Sequence, residues 1–198
     1  MKKIILLVLT MFVVSTINNL SAQSFNKGQT DINIGIGLGN TIITSGATNV
    51  LPPLSLSVEY GITDDISVGG YFGITGASYS YSGWENCGKG SDQYYIDTYK
   101  WSFYIIGARG AYHFGHFIKV DKLDVYAGLM LGDDIAHFSY STTSTCSDHI
   151  GFISSSTYGG FVFSIYAGAR YRFTDHFGAF LELGYGITYL NIGLNIKL

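Results

Sequence analysis

Charge is scarce in this chain. Only 13% of its 198 residues are Asp, Glu, Lys or Arg, where a soluble domain carries about a quarter. No basic run follows Lys3, which excludes nucleic acid as a partner. After the first residues no stretch reaches the roughly 18 consecutive apolar residues that a membrane-crossing helix needs. What is present instead is 16% aromatic residues and 26 glycines. Little charge, many aromatics and many glycines without a helical span make the composition of a transmembrane β-barrel.

The first residues read as an export signal rather than as part of the fold. Lys2 and Lys3 form a positive n-region, and Ile4 to Val14 form an apolar h-region interrupted only by Thr10. Leu20-Ser21-Ala22 places a small residue at the cleavage position, with Gln23 as the mature start, although Leu20 departs from the A-x-A pattern. Residues 1–22 are therefore expected to be removed, leaving a single domain over 23–198. Without Lys2 and Lys3, 9 basic residues face 14 acidic ones, a formal charge of −5.

Alternation is the dominant pattern of that domain. Eight segments set apolar against polar residues with period two, each bounded by Gly, Asp, Asn, Ser or Pro. They are Thr30–Gly39, Leu54–Ile62, Ile66–Tyr81, Tyr99–Phe114, Leu123–His137, Gly160–Phe173, Phe177–Gly186 and Leu190–Leu198. The last runs to the final residue, so no further domain is expected behind it. The links Thr63–Asp65, Gly115–Lys122 and Thr174–His176 are short. Asn40–Pro53, Ser82–Thr98 and Phe138–Gly159 are long and polar, and Ile187–Tyr189 is a short exception. Short turns alternating with long loops predict an eight-stranded antiparallel up-and-down barrel, with termini on the periplasmic side and long loops extracellular.

Alternation does not say which face is inside. A soluble lipocalin-like barrel would turn its apolar face inward and show Lys and Glu to water. Here the polar face carries Gly, Ser, Asn and a few charges of both signs: Asp31, Glu59, Arg109, Asp124, Arg170, Arg172, Glu182 and Lys197. All three arginines lie on it. Buried charges need partners, so this set predicts an ion-pair network in the lumen and an apolar face toward lipid. Tyr60, Tyr112, Phe114, Tyr171, Phe173 and Phe177 lie beside the short turns, and Tyr104, Phe161, Phe163 and Tyr185 near the long loops. Two aromatic belts at the lipid–water boundaries follow.

The mature chain resembles the small OmpA/OmpX-like outer-membrane barrels, often described as porin-family proteins. The resemblance rests on Phe161-Val-Phe-Ser-Ile-Tyr-Ala-Gly-Ala-Arg-Tyr-Arg-Phe173, Phe180-Leu-Glu-Leu-Gly-Tyr-Gly186 and Tyr189-Leu-Asn-Ile-Gly-Leu-Asn-Ile-Lys-Leu198. It implies an outer-membrane location and a closing strand read by the barrel-assembly machinery. Family members commonly end in an aromatic residue, and here Leu198 stands in that place.

Several constellations bear on chemistry. Cys87 and Cys146 fall in the second and third long links. An even count in an oxidising compartment favours a disulfide, against two free thiols. It would close a loop of about 60 residues and stabilise by roughly 3–4 kcal/mol. Asp133, Asp134 and His137, with Ser139, Ser141 and His149, offer acid, base and nucleophile at the barrel rim, against the plainer reading of a solvated margin. His113 and His116 form H-x-x-H, but residues three apart on a strand face opposite ways, so no metal site is expected. The glycines at 35, 37 and 39 lack the following helix of a dinucleotide motif, and no cofactor is expected. Trp84, Tyr94, Tyr95, Tyr99 and Trp101 belong either to the outer aromatic belt or to a surface for an unknown ligand.

Three functions compete. The first is a structural or narrow-pore outer-membrane protein, a monomer without catalysis, whose lumen is largely filled because eight strands leave little room. The second is a cell-surface binding module using disulfide-pinned loops. The third is a rim enzyme centred on His137 and Asp134.

Overall fold

The computed structural model describes residues 25–42, 47–87, 92–115, 117–118, 120, 122–144 and 155–198. Eight strands follow one another: β1 (Thr30–Asn40), β2 (Thr48–Gly61), β3 (Ile66–Asn86), β4 (Asp92–His113), β5 (Leu123–Thr142), β6 (Ser155–Arg172), β7 (Phe177–Tyr185) and β8 (Thr188–Lys197). Each pairs antiparallel with the next. β1 pairs with β8 from Asp31↔Lys197 to Asn40↔Thr188, which closes the barrel. The expected signal, residues 1–22, lies outside the described residues.

The tight turns are written in the sequence. In Thr63-Asp64-Asp65 the Thr63 hydroxyl accepts the Ile66 N–H at 2.9 Å. In Thr174-Asp175-His176 the Thr174 hydroxyl accepts the Phe177 N–H at 3.0 Å. A short hydroxyl side chain that bonds the backbone two or three residues on mimics a backbone turn and reverses the chain. Gly186, at φ +115°, makes the β7–β8 reversal in a conformation that L side chains rarely adopt. The mouth at the Thr63 and Thr174 turns is called the turn end below, and the other the hairpin end.

The faces sort as a membrane barrel. Ile34, Leu56, Val68, Ile106, Leu131, Ile165, Leu183 and Leu194 are all at least 40% exposed on the outer wall, while Asp31, Glu59, Asp124, Arg170 and Arg172 are at most 1% exposed inside. Both aromatic groups contribute outward rings, Tyr60, Phe173 and Phe177 at the turn end, Tyr104, Phe161 and Tyr185 toward the other. Little volume remains inside: a Cβ added to Gly35 would lie 2.5 Å from Asn191 and 2.7 Å from Phe180.

Five strands, β2 to β6, are longer than the alternation of apolar residues predicts. The β3–β4 ladder runs without a shift from Ile66↔Tyr112 to Asn86↔Asp92, and β5 stays paired with β4 to Asp97↔Thr142. β6 begins at Ser155. Much of what reads as the links Ser82–Thr98 and Phe138–Gly159 is therefore strand. Part of Asn40–Pro53 is strand too, because β2 begins at Thr48 and passes Pro52 and Pro53 through a register shift, where proline's missing donor is tolerated. Ser, Thr and Tyr keep strand geometry in water, so the ladder continues where the lipid-facing pattern stops. Two faces exchange character there. The outward rung Ile74–Tyr104–Ile135 gives way to Ser78–Lys100–Ser139, and the inward rungs become Ala77–Trp101–Phe138 and Tyr79–Tyr99–Tyr140.

Candidate functional site in the barrel lumen

The lumen has two tiers. The tier nearer the turn end is polar, because inward positions on every strand converge there: Asp31 and Asn33 of β1, Glu59 of β2, Ser67 of β3, Arg109 and His113 of β4, Asp124 of β5, Arg170 and Arg172 of β6, Glu182 of β7 and Asn195 of β8. Arg170 is its hub. Its guanidinium lies 2.7 Å from Glu59, 3.3 Å from Asp124 and 3.5 Å from Asp31, and packs 4.3 Å from the Tyr126 ring centre. Arg109 bridges Glu59 at 3.0 Å and Glu182 at 2.6 Å, with its carbon over the Tyr166 ring. Arg172 holds Asp31 at 3.2 Å. The Tyr126 hydroxyl donates to Glu182 at 2.9 Å, and Asn195 donates to Asp31 at 3.0 Å. Charges sealed from water are stabilised only when paired and hydrogen-bonded, and this tier meets that condition with three cations among four carboxylates.

One part of the tier has the connectivity of a hydrolytic triad. His113 Nδ1 lies 2.8 Å from Asp124, and Nε2 lies 2.9 Å from the Ser67 hydroxyl. The surroundings do not suit a nucleophile. Ser67 also reaches Glu59 at 3.2 Å, and the Phe25 ring stacks 3.6 Å from His113, closing the turn-end mouth. The segment carrying Phe25 is pinned by paired bonds between Gly28, Gln29 and Gly61, each 2.9 Å. The arrangement holds three strands, β3, β4 and β5, and a plug together.

Toward the hairpin end the lumen turns apolar. Phe103, Ile105, Met130, Ala136 and Val162 are buried, with Ile187 from the β7–β8 turn closing over them. Between the tiers lies a cavity of about 30 Å³, lined by Tyr71, Arg109, Met130, Ser164, Tyr166 and Asn191 among others, room for a water or two.

A closed ring of eight strands with charges inside and aliphatic side chains outside is the frame for the comparison with known proteins. The domain family described as outer membrane protein beta-barrel domain matches residues 4–197. The chain belongs to that family. It is an outer-membrane β-barrel, as its resemblance to the small OmpA/OmpX-like barrels implies. Among solved structures it is similar to the outer membrane protein OprG of Pseudomonas aeruginosa, at 11% identity and TM-score 0.51, over 89% of this chain and 98% of that one. It also matches the N-terminal β-barrel domain of Pseudomonas aeruginosa OprF, at 17% identity and TM-score 0.49, over 87% and 98%. A third match is Ail, the attachment invasion locus protein of Yersinia pestis, at 15% identity and TM-score 0.46, over 86% and 95%. No curated protein matches the chain. At such identities the OprG likeness speaks for the fold.

Of the eight lumen charges expected from sequence, the structure brings Asp31, Glu59, Arg109, Asp124, Arg170, Arg172 and Glu182 into one cluster. Lys197 is the exception. It stands opposite Asp31 on the ladder, yet forms no ion pair among the described residues. Asp31 is already occupied by Arg172, Arg170, Gln29 and Asn195, and Lys197 sits half-buried at the mouth. The rim constellation is not assembled. Asp134 faces the lumen while His137 faces outward, toward Thr157 at 3.2 Å. Asp133 shares the outward face but lies four residues away, about 13 Å along a strand. Ser139 and Ser141 point outward as well, and His149 lies outside the described residues. His116 also lies outside them, and His113 spends both nitrogens on Asp124 and Ser67. Cys87 follows β3 and is not a free thiol, while Cys146, the other half of the expected bridge, lies outside the described residues. Sequence reading missed the buried roles of His113, Ser67 and Phe25. Parity was the available signal for His113, which lies four residues from Arg109 and so shares its face.

Proposed function

We propose that the protein is a structural outer-membrane barrel whose lumen is closed by its own side chains. The observation that carries this reading is the stacking of a paired charge cluster on an apolar tier, with only about 30 Å³ of cavity between them. A third closure, Phe25 against His113, seals the turn end. Catalysis has no part in it. The termini lie in the periplasm and the projecting hairpins at the cell surface, consistent with tight turns at one end and long ladders at the other. The chain enters the envelope by a signal cleaved after Ala22, is inserted by the barrel-assembly machinery through its closing strand, and works as a monomer. A Cys87–Cys146 bridge pins the second and third hairpins; alkylation without reductant should leave both cysteines unlabelled, and labelling would remove it.

Planar-bilayer recording of the refolded full chain tests the closed lumen. The expected result is a silent bilayer, with heat-modifiable gel migration showing that the barrel has formed. Stable single-channel steps would replace the closed barrel with a narrow pore.

A second reading, surface binding, is favoured by one observation. The sheet of β3, β4 and β5 beyond the wall keeps a half-exposed aromatic face that no described element covers.

A further inference from the structure

The aromatic face of the projecting sheet is continuous. Tyr99 is its centre, with ring centres of Tyr140 at 5.0 Å, Tyr79 at 6.3 Å, Phe138 at 6.3 Å and Trp101 at 6.3 Å, the last only 18° from coplanar. Tyr79 and Tyr81 keep 43% and 52% of their surface exposed. One rung farther out, Asp97 stands across from Tyr81 and accepts the Tyr140 hydroxyl at 2.9 Å. Asp97 is half-buried at the margin of the rings. Lys100, the one lysine or arginine among the described residues of the projecting sheet, lies on the opposite face of the ladder. Among the described residues the projecting hairpins hold Glu85, Asp92 and Asp97 against Lys100.

These features select the charge of a ligand. Aromatic faces attract cations through the ring quadrupole, most strongly for Trp and Tyr. A carboxylate at the margin adds a direct Coulomb partner. An anionic glycan would meet no cation among the described residues of this face and would be opposed by Glu85 and Asp97. A neutral glycan could lie on the rings but would draw nothing from the acidic field. We propose that this face docks a cationic polypeptide segment, with Lys or Arg side chains over Tyr79, Tyr99 and Trp101 and with Asp97 as the anchoring anion. The proposal rests on the hairpins being the surface-exposed end, which protease cleavage of the hairpins on intact cells checks separately.

The chain's only tryptophans, Trp84 and Trp101, both lie on this sheet, so emission reports occupancy. In the Trp84→Phe background, Trp101 is the sole reporter. Oligolysine is titrated against the full chain refolded in vesicles of zwitterionic lipid, with heat-modifiable migration verifying each variant. Saturable quenching is expected. Asp97→Asn or Tyr99→Leu should weaken it about tenfold, the scale of one well-placed cation–π or charge contact. Asp92→Asn removes the same charge from the outward face and should change binding less than about twofold, because charges beyond a Debye length are screened. Equal losses in Asp92→Asn and Asp97→Asn would mean diffuse attraction and overturn the site. Absent quenching would overturn it too, as would tighter binding of a heparin fragment or a neutral chito-oligosaccharide than of oligolysine.

Discussion

The two tiers of the lumen fill the same eight-stranded tube by opposite means. Near the turn end the staves contribute Asp31, Glu59, Asp124 and Glu182 against three arginines, and near the hairpin end they contribute Phe103, Ile105, Met130 and Val162. The apolar tier gains by contact, and any one side chain can be trimmed at the cost of its own burial. In the charged tier every member depends on the others, since an ion left without its partner keeps the desolvation cost and loses the attraction. Substitution should therefore hurt more, residue for residue, in the charged tier.

The largest effect is expected at the hub. Arg170→Met keeps the volume but strands Glu59, Asp31 and Asp124 beside a thioether. Breaking a buried pair from one side costs about 3–5 kcal/mol, read from urea unfolding of the refolded barrel in detergent. Adding Glu59→Gln removes one of the stranded charges and should recover part of that loss. A double variant as unstable as the sum of its parts would show that the two residues are not energetically coupled, and the contrast between tiers would fall.

Met130→Ala probes the other tier. Met130 is 2% exposed and borders the cavity, so its removal enlarges a space already lined by Arg109, Ser164 and Asn191. Polar neighbours let water enter, which puts the cost near the low end of the range for large-to-small changes, about 2 kcal/mol by the same unfolding measurement. A loss exceeding that of Arg170→Met would reverse the ranking of the tiers.

How much of this contrast the sequence carries depends on what each position reports. Period two puts Asp31, Glu59, Arg109, Asp124 and Glu182 on one face, and the low charge count makes that face the inner one, so the charged tier was legible. The apolar tier was not, because Ile105, Met130 and Val162 sit on the inward parity among residues that alternation alone marks as neither lipid-facing nor charged. Strand length escaped for a related reason. Ser78, Ser80 and Thr98 continue the ladder to Asn86↔Asp92, but their outward side meets water, so the hydrophobic signal ends before the hydrogen bonding does. His113 was masked by its place beside a turn. Its parity with Arg109 put it on the inner face, but the plug that seals it, Phe25, comes from a segment with no pattern of its own.

Lys197 marks where the charged tier stops, and it should respond least. It shares the inward parity of Asn191 and Asn195 on β8, yet Asp31 across from it is saturated by Arg172, Arg170, Gln29 and Asn195. A third cation at that carboxylate would meet Arg172 as well, and at the edge of the lumen Lys197 is only half-buried. A group that gives up only part of its solvation and gains no ion pair has little to lose. Lys197→Gln should shift the urea midpoint by less than about 0.5 kcal/mol equivalent, the range of substitutions away from packed or paired features. Its backbone carbonyl, which His176 approaches at 3.1 Å, is untouched by the change. A loss of 2 kcal/mol or more, on the scale of a buried pair, would instead place Lys197 inside the cluster and extend the charged tier by one rung.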